Sequence, residues 1–197
     1  MSAGEQRGRK PRADVQRNRA ALLEAAQRHF LQHGVGTSLE AVAKEAGVGP
    51  GTLYRHFPTR EALLAAVLQT RSEELVARQA DIERLGDPAE ALEQWLRAME
   101  EYFSAFSGLP DPLMAAARAQ KPDNPLTIPC DILISATDQY VRAAQLAGRV
   151  RASVRGHDLF LAACSVAWIK GTGTKEESLD RLRTLIASGY RQQDTQA

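Results

Sequence analysis

Residues 52–57 read Thr-Leu-Tyr-Arg-His-Phe. Leu53 and Phe57 stand one helical turn apart and pair inward with Val48. That leaves Thr52, Tyr54, Arg55 and His56 on the outer side of a short helix. Hydroxyl and ring donors in such a row suit phosphate oxygens, and a guanidinium suits either a phosphate or the edge of guanine. Gly49, Pro50 and Gly51 lead into this helix. A recognition helix docks N-terminus first, so Gly49, Pro50, Gly51, Thr52 and Arg55 are expected nearest the bases. The two glycines and the proline offer base edges almost nothing. Sequence discrimination then falls to Thr52, Arg55, an N-terminal arm or the shape of the duplex. Upstream, Thr37 and Ser38 open another helix and would turn hydroxyls and free backbone N–H groups toward a phosphate, with Arg60 doing the same from the other side.

No other constellation carries chemistry as well. His29 and His33 share a helical face at i, i+4 but lack a third metal ligand, and are expected to be structural. Cys164 lies in an apolar run and is expected in the core, whereas Cys130 is expected to be more exposed, without an activating base. Glu100-Glu101 and Glu176-Glu177 read as solvated faces rather than paired catalytic acids. There is no phosphate loop, serine elbow or dinucleotide fingerprint. The expectation is no enzyme, no metal and no cofactor.

The elements that must position these groups are helices. Ala and Leu dominate the apolar residues and aromatics are 6% of the 197 residues, which favours helix over sheet. A first helix over about 15–32 carries Leu22, Ala26 and Phe30 at i, i+4, i+8 and ends at Gly34. Ser38 caps a second, about 39–46, and Pro50 opens a third that ends near Phe57. Pro58 opens a long fourth helix, about 59–85, which would be near 40 Å in length at about 1.5 Å per residue. Five further helices are expected at about 89–107, 112–119, 130–147, 156–170 and 175–192. The all-α chain divides into a flexible basic arm (1–14), a helix-turn-helix unit (15–60) and a helical regulatory and dimerisation unit (61–197).

Charge supports this division. Net charge is only +1, yet residues 1–60 hold ten Lys or Arg against five acids, and the remainder is mildly acidic. A basic first third suggests a polyanionic partner. The run Arg7-Gly8-Arg9-Lys10-Pro11-Arg12 is loosely similar to arms that insert arginine into a narrow minor groove; the alternative is a solvated tail. No apolar stretch follows the early basic residues, so no signal peptide is expected, and the longest apolar run is about half of a membrane span. A cytoplasmic chain is expected.

The segment from Thr37 to Phe57, followed by Pro58-Thr59-Arg60-Glu61-Ala62-Leu63, resembles the DNA-binding signature of the TetR family of transcriptional regulators. Ala25-Ala26 and Phe30 before Gly34 resemble that family's first helix. The resemblance is dense over about residues 19–68. It implies a three-helix DNA-binding domain, a six-helix regulatory domain and a homodimer. It also implies a repressor on a palindromic duplex operator, released by a small molecule. By position, Thr52, Tyr54, His56 and Arg60 match phosphate contacts, and Gly49, Pro50, Gly51 and Arg55 match residues near bases. The link Ala147–Val154 resembles the family's, except that Ser153 stands where an acid is frequent.

The resemblance also implies a ligand cavity among the fourth to eighth helices. Its candidate lining is Trp95, Met99, Tyr102, Phe103, Phe106, Met114, Tyr140 and Phe160, suited to an apolar or aromatic effector, with the proline-rich 108–129 segment as lid or entrance. The eighth helix is apolar nearly all round and must be covered on both faces. A two-fold interface is therefore expected on Leu159, Ala163, Val166 and Ala167 with Leu179, Leu182, Ile186 and Tyr190 of the ninth; burial within one protomer is the alternative. Two other functions compete: a DNA-binding regulator without an effector, and a small-molecule-binding protein with a vestigial helix-turn-helix.

Overall fold

Helix starts follow the capping chemistry of the sequence. The computed structural model describes residues 9–192, and these form nine helices: α1 (Arg9–His33), α2 (Leu39–Glu45), α3 (Pro50–His56), α4 (Arg60–Ile82), α5 (Pro88–Phe103), α6 (Pro110–Ala119), α7 (Thr127–Leu146), α8 (Gly156–Gly171) and α9 (Glu176–Tyr190). Pro50, Pro88 and Pro110 each sit in a first helical turn, where a missing N–H breaks no bond. Ser38 Oγ, Thr59 Oγ1 and Asp87 Oδ1 accept from the backbone N–H of Ala41 (3.2 Å), Ala62 (3.1 Å) and Ala89 (2.8 Å). Among the described residues there is no strand, only one isolated antiparallel bridge between Val150 and Arg191. The all-α class is as expected. No helix among these residues is long and apolar enough to cross a membrane.

Some boundaries differ from expectation. α1 starts at Arg9, so the later part of the anticipated arm is helical; Pro11 falls in the first turn, which tolerates it. Residues 1–8 of that arm lie outside the described residues. α6 begins at Pro110 and α7 at Thr127, ahead of the expected Pro112 and Cys130. Cys130 is fully buried, not exposed, and burial pushes its thiol up to about 12. The 108–129 segment is pinned by Leu109, Leu113 and Leu126, all buried.

Two packed regions share α4. In the head, Leu22, Ala26 and Phe30 of α1, Val42 and Ala43 of α2, Leu53 and Phe57 at α3, and Leu63, Leu64 and Val67 of α4 are all buried. In the body, α8 packs against α5, α6, α7 and α9. The 23 residues of α4 span roughly 35 Å at about 1.5 Å per residue, with Leu75 and Ile82 buried toward its far end.

A second junction joins head to body. The Val35 N–H donates to the Ser107 carbonyl at 2.9 Å, and Phe30 meets Phe106 edge-on with ring centroids 5.7 Å apart. Gly34, at φ +75°, lets the turn approach: a Cβ there would lie 2.7 Å from the Ser107 carbonyl oxygen.

Candidate nucleic-acid interface

The recognition face is built by two seven-residue helices. The turn between them closes with the Val48 N–H on Ala43 O (3.0 Å) and the Gly47 N–H on Lys44 O (3.1 Å), with Gly47 at φ +69°. Leu53 and Phe57 are buried as expected, and Arg19 of α1 lies over the Phe57 ring at 5.5 Å. Burying that side leaves Gly49, Pro50, Gly51, Tyr54 and Arg55 exposed and Thr52 and His56 half-buried. The Arg55 Nε donates back to Gly51 O at 3.0 Å, which lays the guanidinium along the helix start.

The α1–α2 turn brings the remaining candidates alongside. Ser38 is exposed and Thr37 half-buried, its hydroxyl 3.4 Å from His29 Nδ1. Arg60 is less free than its sequence position suggests. Its Nη1 donates to Val35 O (2.7 Å) and Thr37 O (2.6 Å), so it fixes the turn that carries Thr37 and Ser38. α1 and α2 are also tied by Glu45, which accepts from Arg28 Nε (2.6 Å) and pairs with His29 Nε2 (2.7 Å). The Arg28 contact comes first among the causes that hold the Glu45 carboxyl below the usual range. His29 is thus a structural partner, and the described residues hold no cluster of three metal-ligating side chains.

Sequence reasoning missed one residue of this face. Glu40 is exposed on the first turn of α2, and its carboxylate accepts from both Ser38 Oγ (2.8 Å) and the Tyr54 hydroxyl (3.2 Å). An acid two residues after an N-cap serine was visible in the sequence. Its reach to Tyr54, across the turn, was not.

A family model described as "Bacterial regulatory proteins, tetR family" matches residues 22–67, and one described as "Transcriptional regulator SbtR-like, C-terminal domain" matches residues 87–192. The second alone spans more than half of the chain. The chain belongs to the TetR family of transcriptional regulators. Among relatives, it is 36% identical over 119 residues to the HTH-type transcriptional regulator LmrA of Bacillus subtilis, a match covering 57% of this chain and 63% of LmrA. The chain thus spans less than two thirds of that relative. TetR transcriptional regulator SCO0520 of Streptomyces coelicolor is 34% identical, with 88% of this chain and 98% of that one covered at a TM-score of 0.53. RolR in complex with resorcinol shares the fold at a TM-score of 0.65 and 17% identity, over 90% of this chain and 89% of its own.

For a TetR-family body, the residues expected to line a cavity lie in, or are packed against, the hydrophobic core. Trp95, Met99, Phe103, Phe106, Tyr140 and Phe160 are buried, with Tyr102 and Met114 half-buried. Trp95 stacks on Tyr140 (5.3 Å) and donates to Thr137 Oγ1 at 2.9 Å, and Phe103 meets Phe160 edge-on at 5.3 Å. Tyr102 donates to Leu68 O at 3.0 Å, tying α5 to α4. A cleft of about 390 Å³ lies elsewhere, between α5, α8 and α9, crossed by Arg183 with Glu100 at 2.8 Å.

The residues expected at a two-fold interface differ in their burial within the protomer. Leu159, Ala163, Val166, Ala167, Leu179 and Tyr190 are buried within one chain, because α5, α7 and α9 already cover that side of α8. Leu182 and Ile186 are half-buried. The large apolar groups left outside on α8 and α9 are Trp168 (47% exposed) and Leu185 (70%).

Proposed function

We propose that this TetR-family chain is a homodimeric cytoplasmic repressor that grips a palindromic duplex through α2 and α3 and is released by a small apolar or aromatic effector. The observation that carries the DNA reading is the two-sidedness of α3: Leu53 and Phe57 inside, Tyr54 and Arg55 outside. Tyr54, Ser38, Thr37, Thr52 and His56 supply phosphate contacts, Gly49, Pro50, Gly51 and Arg55 lie nearest the bases, and Arg60 acts mainly by fixing the turn. Residues 15–60 form the DNA-binding domain and 61–197 the regulatory one.

Trp168 and Leu185, with Leu182 and Ile186 beside them, supply an apolar surface for a second copy. The effector site is the Trp95–Tyr140 cluster. It favours an aromatic ligand with one polar atom, because the Tyr140 hydroxyl is buried without a partner. Occupancy would spread this cluster and tilt α4 through Tyr102, mis-spacing the two heads. The close packing of the same cluster favours a second reading, a regulator with no effector.

The test is selection of fragmented genomic DNA by the full chain. Wild type is expected to enrich discrete fragments, and Tyr54→Ala with Arg55→Ala to lose roughly 10- to 100-fold in affinity for them. Enrichment that survives the double change, or none by wild type, overturns the DNA reading. Fragments displaced by no small molecule would favour the second one.

A further inference from the structure

Glu40 stands among the proposed phosphate contacts with both carboxylate oxygens in use. Ser38 Oγ donates to Oε2 at 2.8 Å and the Tyr54 hydroxyl to Oε1 at 3.2 Å. One donor comes from the N-cap of α2 and the other from α3, so the acid bridges the two helices that frame the recognition face. A backbone phosphate offers anionic oxygens to the same kinds of donor. Glu40 is exposed, so turning it away uncovers no core.

We infer that Glu40 is an internal stand-in for a DNA phosphate, holding the Ser38 and Tyr54 hydroxyls until a phosphate displaces it. The inference rests on the reading that those hydroxyls meet phosphates. In the free protein the carboxylate pre-orients both donors. On DNA it loses them and lies beside a second negative charge, so each protomer binds more weakly than its donors alone would allow. The penalty follows backbone charge and is uniform across sequences. It works against loose binding to any duplex, while a cognate site offsets it with base contacts.

A proton is coupled to the exchange. The groups facing Glu40 are Ser38, Tyr54 and Arg60. The Ser38 hydrogen bond leads the causes that hold the carboxyl below the usual range, and the hydrogen bond to Glu40 raises the Tyr54 hydroxyl. Loss of both donors beside a phosphate raises the carboxyl again. Binding therefore takes up a proton and tightens as pH falls toward the carboxylate range.

The experiment titrates the full-length wild type, Glu40→Gln and Glu40→Ala against a labelled duplex of mixed sequence by fluorescence anisotropy, across salt and pH. Both variants should bind roughly three- to tenfold more tightly at low salt, the size expected of one exposed charge. Their gain should shrink in a Tyr54→Phe background, and their affinity should rise less than that of wild type as pH falls. Variants that melt like wild type yet bind no more tightly overturn the proposal. A gain that Tyr54→Phe leaves intact overturns the exchange in favour of simple charge removal. Wild type that binds no duplex at any salt overturns the DNA reading itself, a separate failure.

Discussion

The two regions joined by α4 bury their apolar residues in different ways. In the head, α2 and α3 are short and each is covered on one side only, with Leu53 and Phe57 turned in and Tyr54 and Arg55 left out. In the body, α8 is covered on several sides and the α5 aromatics pack against α7 face-on and α8 edge-on. A polar residue on the free side of a half-covered helix has few structural duties, so its chemistry speaks for function. An apolar residue on a fully covered helix announces burial without saying what buries it.

The sharpest way to break this contrast is Trp95→Ala. If the aromatic cluster is solid packing, the change leaves a cavity and removes the indole donor from the Thr137 hydroxyl, which keeps its own bond to the Leu133 carbonyl. It should then cost about 3–5 kcal/mol in equilibrium urea unfolding. A loss below about 1 kcal/mol would mean that Trp95 borders open space, and the body would resemble a preformed ligand site instead.

The same contrast explains what could be read from residue order. The helix-turn-helix was legible because its markers are local: Ser38 as a cap, Pro50 at a first turn, Gly34 and Gly47 in left-handed turns, and an i, i+4 apolar pair. The interface was not legible in the same way, because Leu159, Ala163 and Val166 carry the periodicity of a buried face. Periodicity does not separate a partner subunit from α5 and α7 of the same chain. Glu40 and the double hydrogen bond of Arg60 escaped for another reason. Both depend on contacts between elements 14 to 25 residues apart, which no local pattern encodes.

The junction between the regions can be weighed with two glycines. Gly34 and Gly47 both have positive φ, but a Cβ at Gly34 would meet the Ser107 carbonyl at 2.7 Å, whereas one at Gly47 meets nothing within 4 Å. Gly47→Ala should therefore carry only the conformational cost, about 1 kcal/mol, and Gly34→Ala that cost plus displacement of Ser107, about 2–3 kcal/mol. Urea unfolding of both variants measures the difference. Equal losses would show that the α5–α6 turn yields freely and that the close approach at Gly34 adds nothing to the junction.

The smallest effect sets one acid of each region against the other. Glu45 in the head is partly exposed, and its contact with Arg28, opposed by some desolvation, holds its carboxyl below the usual range. Glu100 in the body is 6% exposed; burial pushes its carboxyl up, against the pull of Arg183. Linkage then gives opposite signs. A depressed folded-state pKa contributes stability that is present above the unfolded value and lost as pH falls through the folded one. A raised pKa contributes stability that is present below the unfolded value and lost as pH rises through the folded one. The gap between wild type and Glu45→Gln should therefore close as pH falls through the acid range. The gap between wild type and Glu100→Gln should move the other way, turning against wild type as pH rises, because glutamine keeps the uncharged form. Arg183 retains Glu176 and Asp180 at 2.7 and 2.8 Å in that variant, so its own charge stays paired. Thermal unfolding of the three proteins across the acid range reads both slopes. Slopes of one sign would mean that solvent reaches Glu100 as freely as Glu45, and the cleft between α5 and α9 would be wet rather than a covered edge of the body.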